Sequence, residues 1–469
     1  MVVSGTCRHV HYYMKGKDMK IPEKVQFIIE SLEQYGYEAY AVGGCVRDSL
    51  LGRIPGDWDI TTSAKPQQVK QVFSRTIDTG IQHGTVTVML GREGFEVTTY
   101  RIDGSYSDGR HPDQVAFTSQ LKEDLRRRDF TINAMAYNPR TGIVDLFGGQ
   151  EDLQQKIIRC VGNPRERFLE DALRILRAVR FSAQLGFSIE TDTGSAIQEL
   201  AGNLSKISKE RIQAEMVKLL VSPHPEELRT AYTLGITKVI LPEFDVMMSQ
   251  EQNTKYHCYS VGEHTIQVIC HSPGEKVLRL AALFHDFGKP AAHTRSSEGI
   301  DSFKGHAAIS AKMARERMRD WKFDNDTIDL VEILVQYHDV RMEPVKKNVR
   351  RLLSKIGAER MPLLLDLQRA DAMGKAEWMR SRTLSVIDAI EQLYREILEE
   401  EECFSLKQLA VDGKMLIQAG MKPGRALGEV LQQMLDYVIE HPECNNADVL
   451  LQTFSEMIWK TEKEEGIGG

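Results

Sequence analysis

The chain has 469 residues, 42% of them hydrophobic and 27% charged, with a formal net charge of −7. That composition excludes a mainly disordered, collagen-like or disulfide-scaffold protein. The length allows about three domains at roughly 150 residues each, and the mild acidity means that any nucleic-acid footprint must be local.

No run of eighteen apolar residues is present, which excludes a hydrophobic spanning helix. Residues 1–20 read as a leader without the apolar stretch of a signal peptide, so a cytoplasmic location is expected. The seven cysteines are scattered and lack C-x-x-C spacing, which argues against a zinc ribbon or a secreted disulfide framework. Ile21 to Tyr35 has helical spacing at Val25, Ile28, Ile29 and Leu32. Ala39 to Gly43 reads as a strand, a helix is expected from Asp48, and Asp57 to Thr61 reads as a second strand. Thr85 to Leu90 and Phe95 to Tyr100 alternate like a hairpin around GREG. From about residue 151 helical patterns dominate: 165–185, 208–221, 262–271, 275–288, 305–321, 325–338, 359–373, 376–399, 426–439 and 446–460. No fixed-period repeat is visible, so a solenoid is not expected. The expected fold class is α+β, a mixed head followed by a helical body, with candidate boundaries near 150 and at 240–256.

AVGGCVRDSLLGRIPGDWDITT places Gly43 and Gly44 after a strand and Asp57 and Asp59 on the next. Alternate strand residues share a face, so the two carboxylates point together. Oxygen ligands at this spacing suit Mg²⁺, which binds one or two carboxylates plus substrate phosphates. Two such metals activate an attacking hydroxyl and neutralise a leaving pyrophosphate. Gly43 and Gly44 let backbone N–H groups approach a triphosphate, and Arg47 would neutralise phosphate charge. Glu96, on a later strand, is either a third catalytic carboxylate or an exposed strand residue.

This stretch resembles the signature of class II tRNA nucleotidyltransferases and bacterial poly(A) polymerases. DTGIQHGTVTV (78–88), RIDGSYSDGRHP (101–112), RRDFTINAMAYNP (127–139) and RFLEDALRILRAVRF (167–181) follow in family order. The resemblance implies a polymerase-β-like head, metal-dependent nucleotidyl transfer and a tRNA partner. It implies that Arg128, Asp129 and Asn133 contact the sugar and triphosphate. It also makes 101–112 the loop linked to the switch from C to A addition.

Pro164 to Leu185 carries an apolar stripe of Phe168, Ala172, Ile175, Leu176 and Val179. Arg167, Asp171, Arg174 and Arg177 lie on another face. On the residues alone this is a salt-bridge ladder worth a few tenths of a kcal/mol per pair. With the head motif a second reading opens. Asp171 can accept the exocyclic amine of cytosine or adenine while Arg174 donates to the adjacent ring nitrogen. Guanine and uracil present the reverse pattern, and each buried mismatch costs about 1–3 kcal/mol. The resemblance assigns that role to Glu170-Asp171-Ala172-Leu173-Arg174, with Arg177 beside them. Seven Lys/Arg against three Asp/Glu between Lys156 and Arg180 suggest a phosphate-tracking surface. The stretch 208–220 reads as structural.

The body contains GEHT (His264), ALFHDFGKP (His285, Asp286, Lys289), KGHAAIS (His306), YHD (His338) and RADAMGK (Asp371). Histidine with carboxylate is the vocabulary of divalent metals. The order resembles the HD phosphohydrolase domain, which implies a transition-metal site at His264, His285, Asp286 and Asp371. His306 and His338 would complete a second site or bind phosphate. The alternative is an HD fold kept for RNA binding or packing.

The expected organisation is a head (21–150), a neck (151–225), a body with the HD domain (226–375) and a tail (376–469). The expected activity is addition of C, C and A to tRNA from CTP and ATP. A poly(A) polymerase, an A-adding-only enzyme, and an HD phosphohydrolase with a non-catalytic RNA-binding head are the alternatives. DTGIQHGTVTV favours the CCA type over the poly(A) type.

Overall fold

The computed structural model describes residues 19–103, 115–254 and 259–460. The chain divides into two compact units, residues 1–242 and 243–469.

In the first unit, α1 (Glu23–Gln34) buries Val25, Ile28, Ile29 and Leu32 on one face, packed on β1 (Ala39–Val42). Gly43, at φ 83° and ψ −128°, turns the chain from β1 straight into α2 (Gly44–Leu50). The helix therefore starts four residues before the expected Asp48. β2 (Ile60–Thr62) is shorter than expected, and Asp57 to Asp59 form an extended lead-in to it. Val42 N still donates to Asp59 O at 3.0 Å, so the lead-in remains tied to β1. Then come α3 (Pro66–Val72), β3 (Thr76–Gly80), β4 (Thr85–Leu90) and β5 (Glu93–Thr99). β5 begins inside the expected GREG turn, leaving Gly91 and Arg92 as the connection.

β6 (Arg101–Asp103) and β7 (Val115–Phe117) pair with each other; residues 104–112 of the expected C-to-A loop lie outside the described residues. α4 (Leu121–Arg126), β8 (Met135–Asn138), β9 (Gly142–Asp145) and α5 (Gly149–Gln155) complete the head. Its seven-stranded sheet has the order β3-β4-β5-β2-β1-β8-β9. Within it β2 and β5 run parallel and the other neighbours antiparallel.

The single helix expected over 164–185 is two. Asn163 caps α6 (Pro164–Glu170) by accepting from Arg165 N, with Pro164 in the first turn. Asp171 then adopts φ −141° and ψ 104°, which ends α6. Its Oδ1 accepts from Leu173 N at 3.0 Å and starts α7 (Leu173–Leu185). The expected apolar stripe survives the break: Phe168, Ala172, Ile175, Leu176 and Val179 are all buried. α8 (Thr191–Leu200), α9 (Lys209–Leu220), α10 (Leu228–Thr233) and α11 (Thr237–Ile240) follow, with α9 packed along α7.

α12 (Pro242–Ser249) begins at the boundary. The second unit is helical: α13 (Val261–His271), α14 (Lys276–Phe284), α15 (Lys289–Ala292), α16 (His306–Asp320), α17 (Asn325–Tyr337), α18 (Lys346–Ile356), α19 (Met361–Met373), α20 (Glu377–Glu399), α21 (Gly413–Gln418), α22 (Arg425–Glu440), α23 (Ala447–Thr453) and α24 (Ser455–Lys460). α18 was not expected, although Val349, Leu352, Leu353 and Ile356 bury one face of it. A separate C-terminal core forms around Val411, Leu416, Met434, Val438 and Leu450. Among the described residues no helix is long and apolar enough to cross a membrane.

Candidate active site and a buried histidine cluster

The sheet register assembles the head carboxylates. Ile60 on β2 lies opposite Val97 on β5, so Asp59 and Glu96 are the next pair out along the two strands. Asp57, two residues before Asp59, completes the group. Asp59 keeps contact with solvent but is ringed by protein. That burial raises its carboxyl, Arg128 opposes the rise and Asp57 adds to it. Glu96 is raised for a related reason: burial first, then the charges of Asp59 and Asp57. The charges of Asp57 and Asp59 both act on Glu96, and a carboxylate group gathered this way is a donor set a divalent cation fits, because the cation would relieve the repulsion.

Arg128 lies near enough to Asp59 for its charge to act on that carboxyl. A Cβ on Gly43 would lie 2.9 Å from Arg128 Nη1, so only glycine permits both the positive φ and this close approach. Asp124, fully buried, anchors the arginines: it accepts from Arg127 Nη2 at 2.7 Å and from Arg128 Nη2 at 3.5 Å. Thr61 Oγ1 donates at 3.1 Å to Asp124 Oδ2, the oxygen that Arg128 also reaches. The sequence reading missed Asp124; its signal was the i+3 and i+4 spacing to Arg127 and Arg128. Gly43→Ala is expected to strain the backbone by about 1–3 kcal/mol and push Arg128 aside. Nucleotide titration should show weakened binding in a variant that still melts cooperatively.

A chain of polar contacts runs from the β1–α2 turn to α7. Arg47 Nη1 donates to Asn133 Oδ1 at 2.6 Å, and Asn133 Nδ2 donates to Asp129 Oδ1 at 3.0 Å. Asp129 Oδ2 accepts from Arg177 Nε and Nη2 at 2.9 and 2.6 Å. Burial alone would raise the Asp129 carboxyl, but the Arg177 charge and the bonds from Asn133 and Arg177 hold it far below the usual range. A folded-state value below the unfolded value means that the unfolded chain binds the proton more readily. The stabilisation is complete above about pH 5 and is lost as the pH falls further. Asp129→Asn is expected to be less stable at pH 7 and to show a shallower loss of stability between pH 5 and 3, read by denaturant midpoints.

The two proposed base-reading groups are brought to the α6–α7 break but are engaged with other partners. Asp171 accepts from Arg211 Nη2 on α9 at 2.7 Å. Arg174 is buried and donates to Glu170 Oε2 at 2.6 Å, Arg127 O at 2.9 Å and Arg167 O at 3.2 Å. Arg211 comes from the stretch read as structural and was missed, as was Glu215, whose Oε2 lies 2.7 Å from Arg180 Nε. The seven-cation stretch offers less free charge than its count suggests: Arg159, Arg165, Arg167, Arg177 and Arg180 each sit against a carboxylate.

In the second unit the five expected elements converge. His264 lies on α13, His285 and Asp286 at the end of α14, His306 at the start of α16, His338 at the end of α17 and Asp371 on α19. All are buried. Each ring uses Nδ1 on a backbone carbonyl: His264 on Gly374, His285 on Ala282, His306 on Phe303 and His338 on Val335, at 2.7 to 3.1 Å. Every Nε2 therefore faces inward, the orientation that metal-binding histidines take.

Asp286 is the hub. Its Oδ2 lies 3.0 Å from His285 Nε2 and 3.6 Å from His264 Nε2, and its Oδ1 lies 3.3 and 3.8 Å from the Nε2 atoms of His306 and His338. Two sets, His264/His285/Asp286 and Asp286/His306/His338, each gather their atoms within 4.8 Å. Asp371 Oδ1 lies 3.0 Å from His264 Nε2, and Lys375, missed in the sequence, pairs with Asp371. Burial works to raise Asp286, yet His285 and Lys289 hold it well below its ordinary value. Burial and then His285 push His338 down to about 4, leaving a neutral ring able to ligate. Among the described residues His285 Nε2 has no aligned hydrogen-bond partner, its nearest anion being Asp286 Oδ2 at 3.0 Å. The donor set and this orphaned nitrogen fit a divalent metal. The cluster opens into a cavity of about 790 Å³ whose lining includes Asp286, Lys289, His306, His338, Asp371 and Lys375.

The sheet and its carboxylate group define a nucleotidyltransferase head. Residues 39–159 match the family described as "Poly A polymerase head domain". Residues 186–248 match "Probable RNA and SrmB- binding site of polymerase A", and 294–454 match the tRNA nucleotidyltransferase domain 2 family. The CCA-adding enzyme of Lactobacillus helveticus is 35% identical over 434 residues, 92% of this chain and 97% of that protein. The CCA-adding enzyme of Lactiplantibacillus plantarum is 56% identical over 198 residues, 42% of this chain and 49% of its own. Among solved structures, the Bacillus stearothermophilus CCA-adding enzyme in complex with CTP aligns with a TM-score of 0.70 at 31% identity, covering 95% of this chain and 99% of that one. The chain belongs to the family of CCA-adding enzymes.

Proposed function

We propose that this protein adds C, C and A in turn to the 3′ end of tRNA, using CTP and ATP and releasing pyrophosphate. The observation that carries the reading is the junction of Asp57, Asp59 and Glu96 near Gly43 and Arg128, in a chain collinear with CCA-adding enzymes. Asp57 and Asp59, with Glu96 beside them, hold Mg²⁺, which when bound supplies activation of the tRNA 3′-hydroxyl and neutralisation of the leaving charge. Arg128 and Arg47 take the triphosphate, and Gly43 and Gly44 let it approach the backbone. Asn133 and Asp129 position Arg47 and Arg177. Asp171 accepts the exocyclic amine of C or A, and Arg174 donates to the ring nitrogen after exchanging one of its present carbonyl contacts. In this reading the head (21–150) and neck (151–225) do the chemistry. The body (226–375), the tail (376–469) and the 101–112 loop serve the tRNA and the switch from C to A, in the cytoplasm.

Labelled CTP and ATP offered to tRNA transcripts ending before CCA, after C and after CC test this. Stepwise addition that stops at CCA is expected. ATP added only to the CC end would make it an A-adding enzyme, and a long A tail on unrelated RNA a poly(A) polymerase.

The inward-facing Nε2 atoms support a second reading, an HD-type phosphohydrolase for phosphates on tRNA ends. His264, His285, Asp286 and Asp371 would hold a divalent transition metal, with His306 and His338 forming the second set. Lys289 is placed to contact the phosphate.

A further inference from the structure

Three guanidiniums from two helices converge on one aromatic ring. Cζ of Arg180 lies 3.9 Å from the Phe181 ring centroid, Cζ of Arg47 5.0 Å and Cζ of Arg177 5.3 Å. All three are within the roughly 6 Å over which a ring face attracts a cation. Phe181 is only 5% exposed, and Phe130 braces it edge-on at 5.8 Å and 81°.

Each arginine also has its own anion: Asp48 for Arg47, Asp129 for Arg177 and Glu215 for Arg180. Glu215 also reaches Arg177 at 3.9 Å, and Asn133 links Arg47 to the Asp129 that holds Arg177, whereas the ring alone contacts all three guanidiniums among these groups. The ring's share is largest at Arg180, whose Nε lies close to Glu215 Oε2 without hydrogen-bond alignment. Burial, with Arg177 and Arg47 nearby, pushes the Arg180 guanidinium down to about 10, so these cations do crowd one another.

We infer that Phe181 is a positioning residue: its negative ring face holds Arg47, at the phosphate end, and Arg177, at the base end, in one fixed geometry for the incoming nucleotide. The inference rests on the reading of Arg47 and Arg177 as nucleotide-binding. Without the ring's charge distribution the guanidiniums repel and spread, and the nucleotide must gather them as it binds. The effect therefore falls on nucleotide affinity and leaves the chemical step nearly unchanged.

The test is a fluorination series at position 181 in the full chain, from phenylalanine through mono-, tri- and pentafluorophenylalanine. Ring shape changes little along it, while the negative face weakens and then reverses. KM for CTP and ATP on tRNA, and the Kd for CTP by equilibrium titration, are expected to rise stepwise to about tenfold. kcat should stay within about twofold and the melting temperature should stay constant. Phe181→Tyr should keep wild-type values, and Phe181→Leu, which has no ring face, should match the middle of the series where the face is neutral rather than its reversed end. A flat series with a weakened Phe181→Leu would make the ring mere packing and overturn the inference. A graded Kd in a protein that extends no tRNA would keep the inference and remove the proposed function instead.

Discussion

Replacing Asp57 and Asp59 together by alanine is expected to abolish nucleotide addition, with incorporation of labelled CTP and ATP onto tRNA lacking CCA falling by at least about 10³-fold. The magnitude follows from the several kcal/mol of transition-state charge stabilisation that a bound cation provides, at about 1.4 kcal/mol per tenfold in rate. Neither carboxylate belongs to the core: both sit in the lead-in to β2 rather than within the sheet. The double variant should therefore melt close to wild type. Its Glu96 carboxyl should also fall back toward the ordinary range, since two of the causes that raise it are the charges removed. Glu96→Gln should cost less than the double variant if Glu96 assists the pair, and nothing if it is only an exposed strand residue. Addition retained within tenfold by the double variant would place the chemistry elsewhere.

The head was legible because its signals are local. Alternation read over 57–61 puts Asp57 and Asp59 together, and their charges do act jointly on Glu96 although the strand starts only at Ile60; Gly-Gly after a strand reads as room for a triphosphate, and the structure sets Arg128 against Gly43. The register was not legible. Glu96 had two readings from its own strand, and only the pairing of Ile60 with Val97, residues far apart in the chain, sets it beside Asp59. Asp124 was hidden for the same reason. In LKEDLRRRDF it reads as one more charge on a helix surface, yet Thr61 closes over it and makes it the buried anchor of two arginines.

The α6–α7 break shows how residues singled out from a periodic pattern can meet partners the pattern does not announce. Asp171 and Arg174 stood out within a periodic apolar stripe, and a continuous helix would have stacked them on one face. The Asp171 carboxylate instead caps the second helix, and Arg211, forty residues on, takes its outer edge. Periodicity survives such a break because the apolar stripe packs across it, so the pattern alone does not reveal it. α18 failed in the opposite sense. Its stripe of Val349, Leu352, Leu353 and Ile356 was present, but Lys346, Lys347, Arg350 and Arg351 share the segment, and their partners Glu402 and Glu440 lie far along the chain.

Asp286→Asn is expected to separate the second unit's chemistry from the first. The substitution keeps the shape of the side chain but removes the charge that the four histidines and Lys289 surround. It takes a ligand from both candidate metal sets at once. Divalent metal retained after dialysis, read by elemental analysis, should fall at least about tenfold, since even losing an outer-shell partner costs 10–100-fold in affinity. Hydrolysis of an RNA ending in a 2′,3′-cyclic phosphate should fall with it. Some loss of stability is also expected, on the order of 3–5 kcal/mol, because a buried cation left without its partner is destabilising. His338→Gln removes a ligand from one set only and should retain more metal than Asp286→Asn. CCA addition should survive in both, because Asp57, Asp59 and Glu96 belong to the other compact unit. Loss of addition together with metal in a variant that remains folded would mean that the histidine cluster serves the polymerase reaction itself. Unchanged metal content in both variants would leave the cluster as packing, with Lys289 and Lys375 as the permanent counter-ions of Asp286 and Asp371.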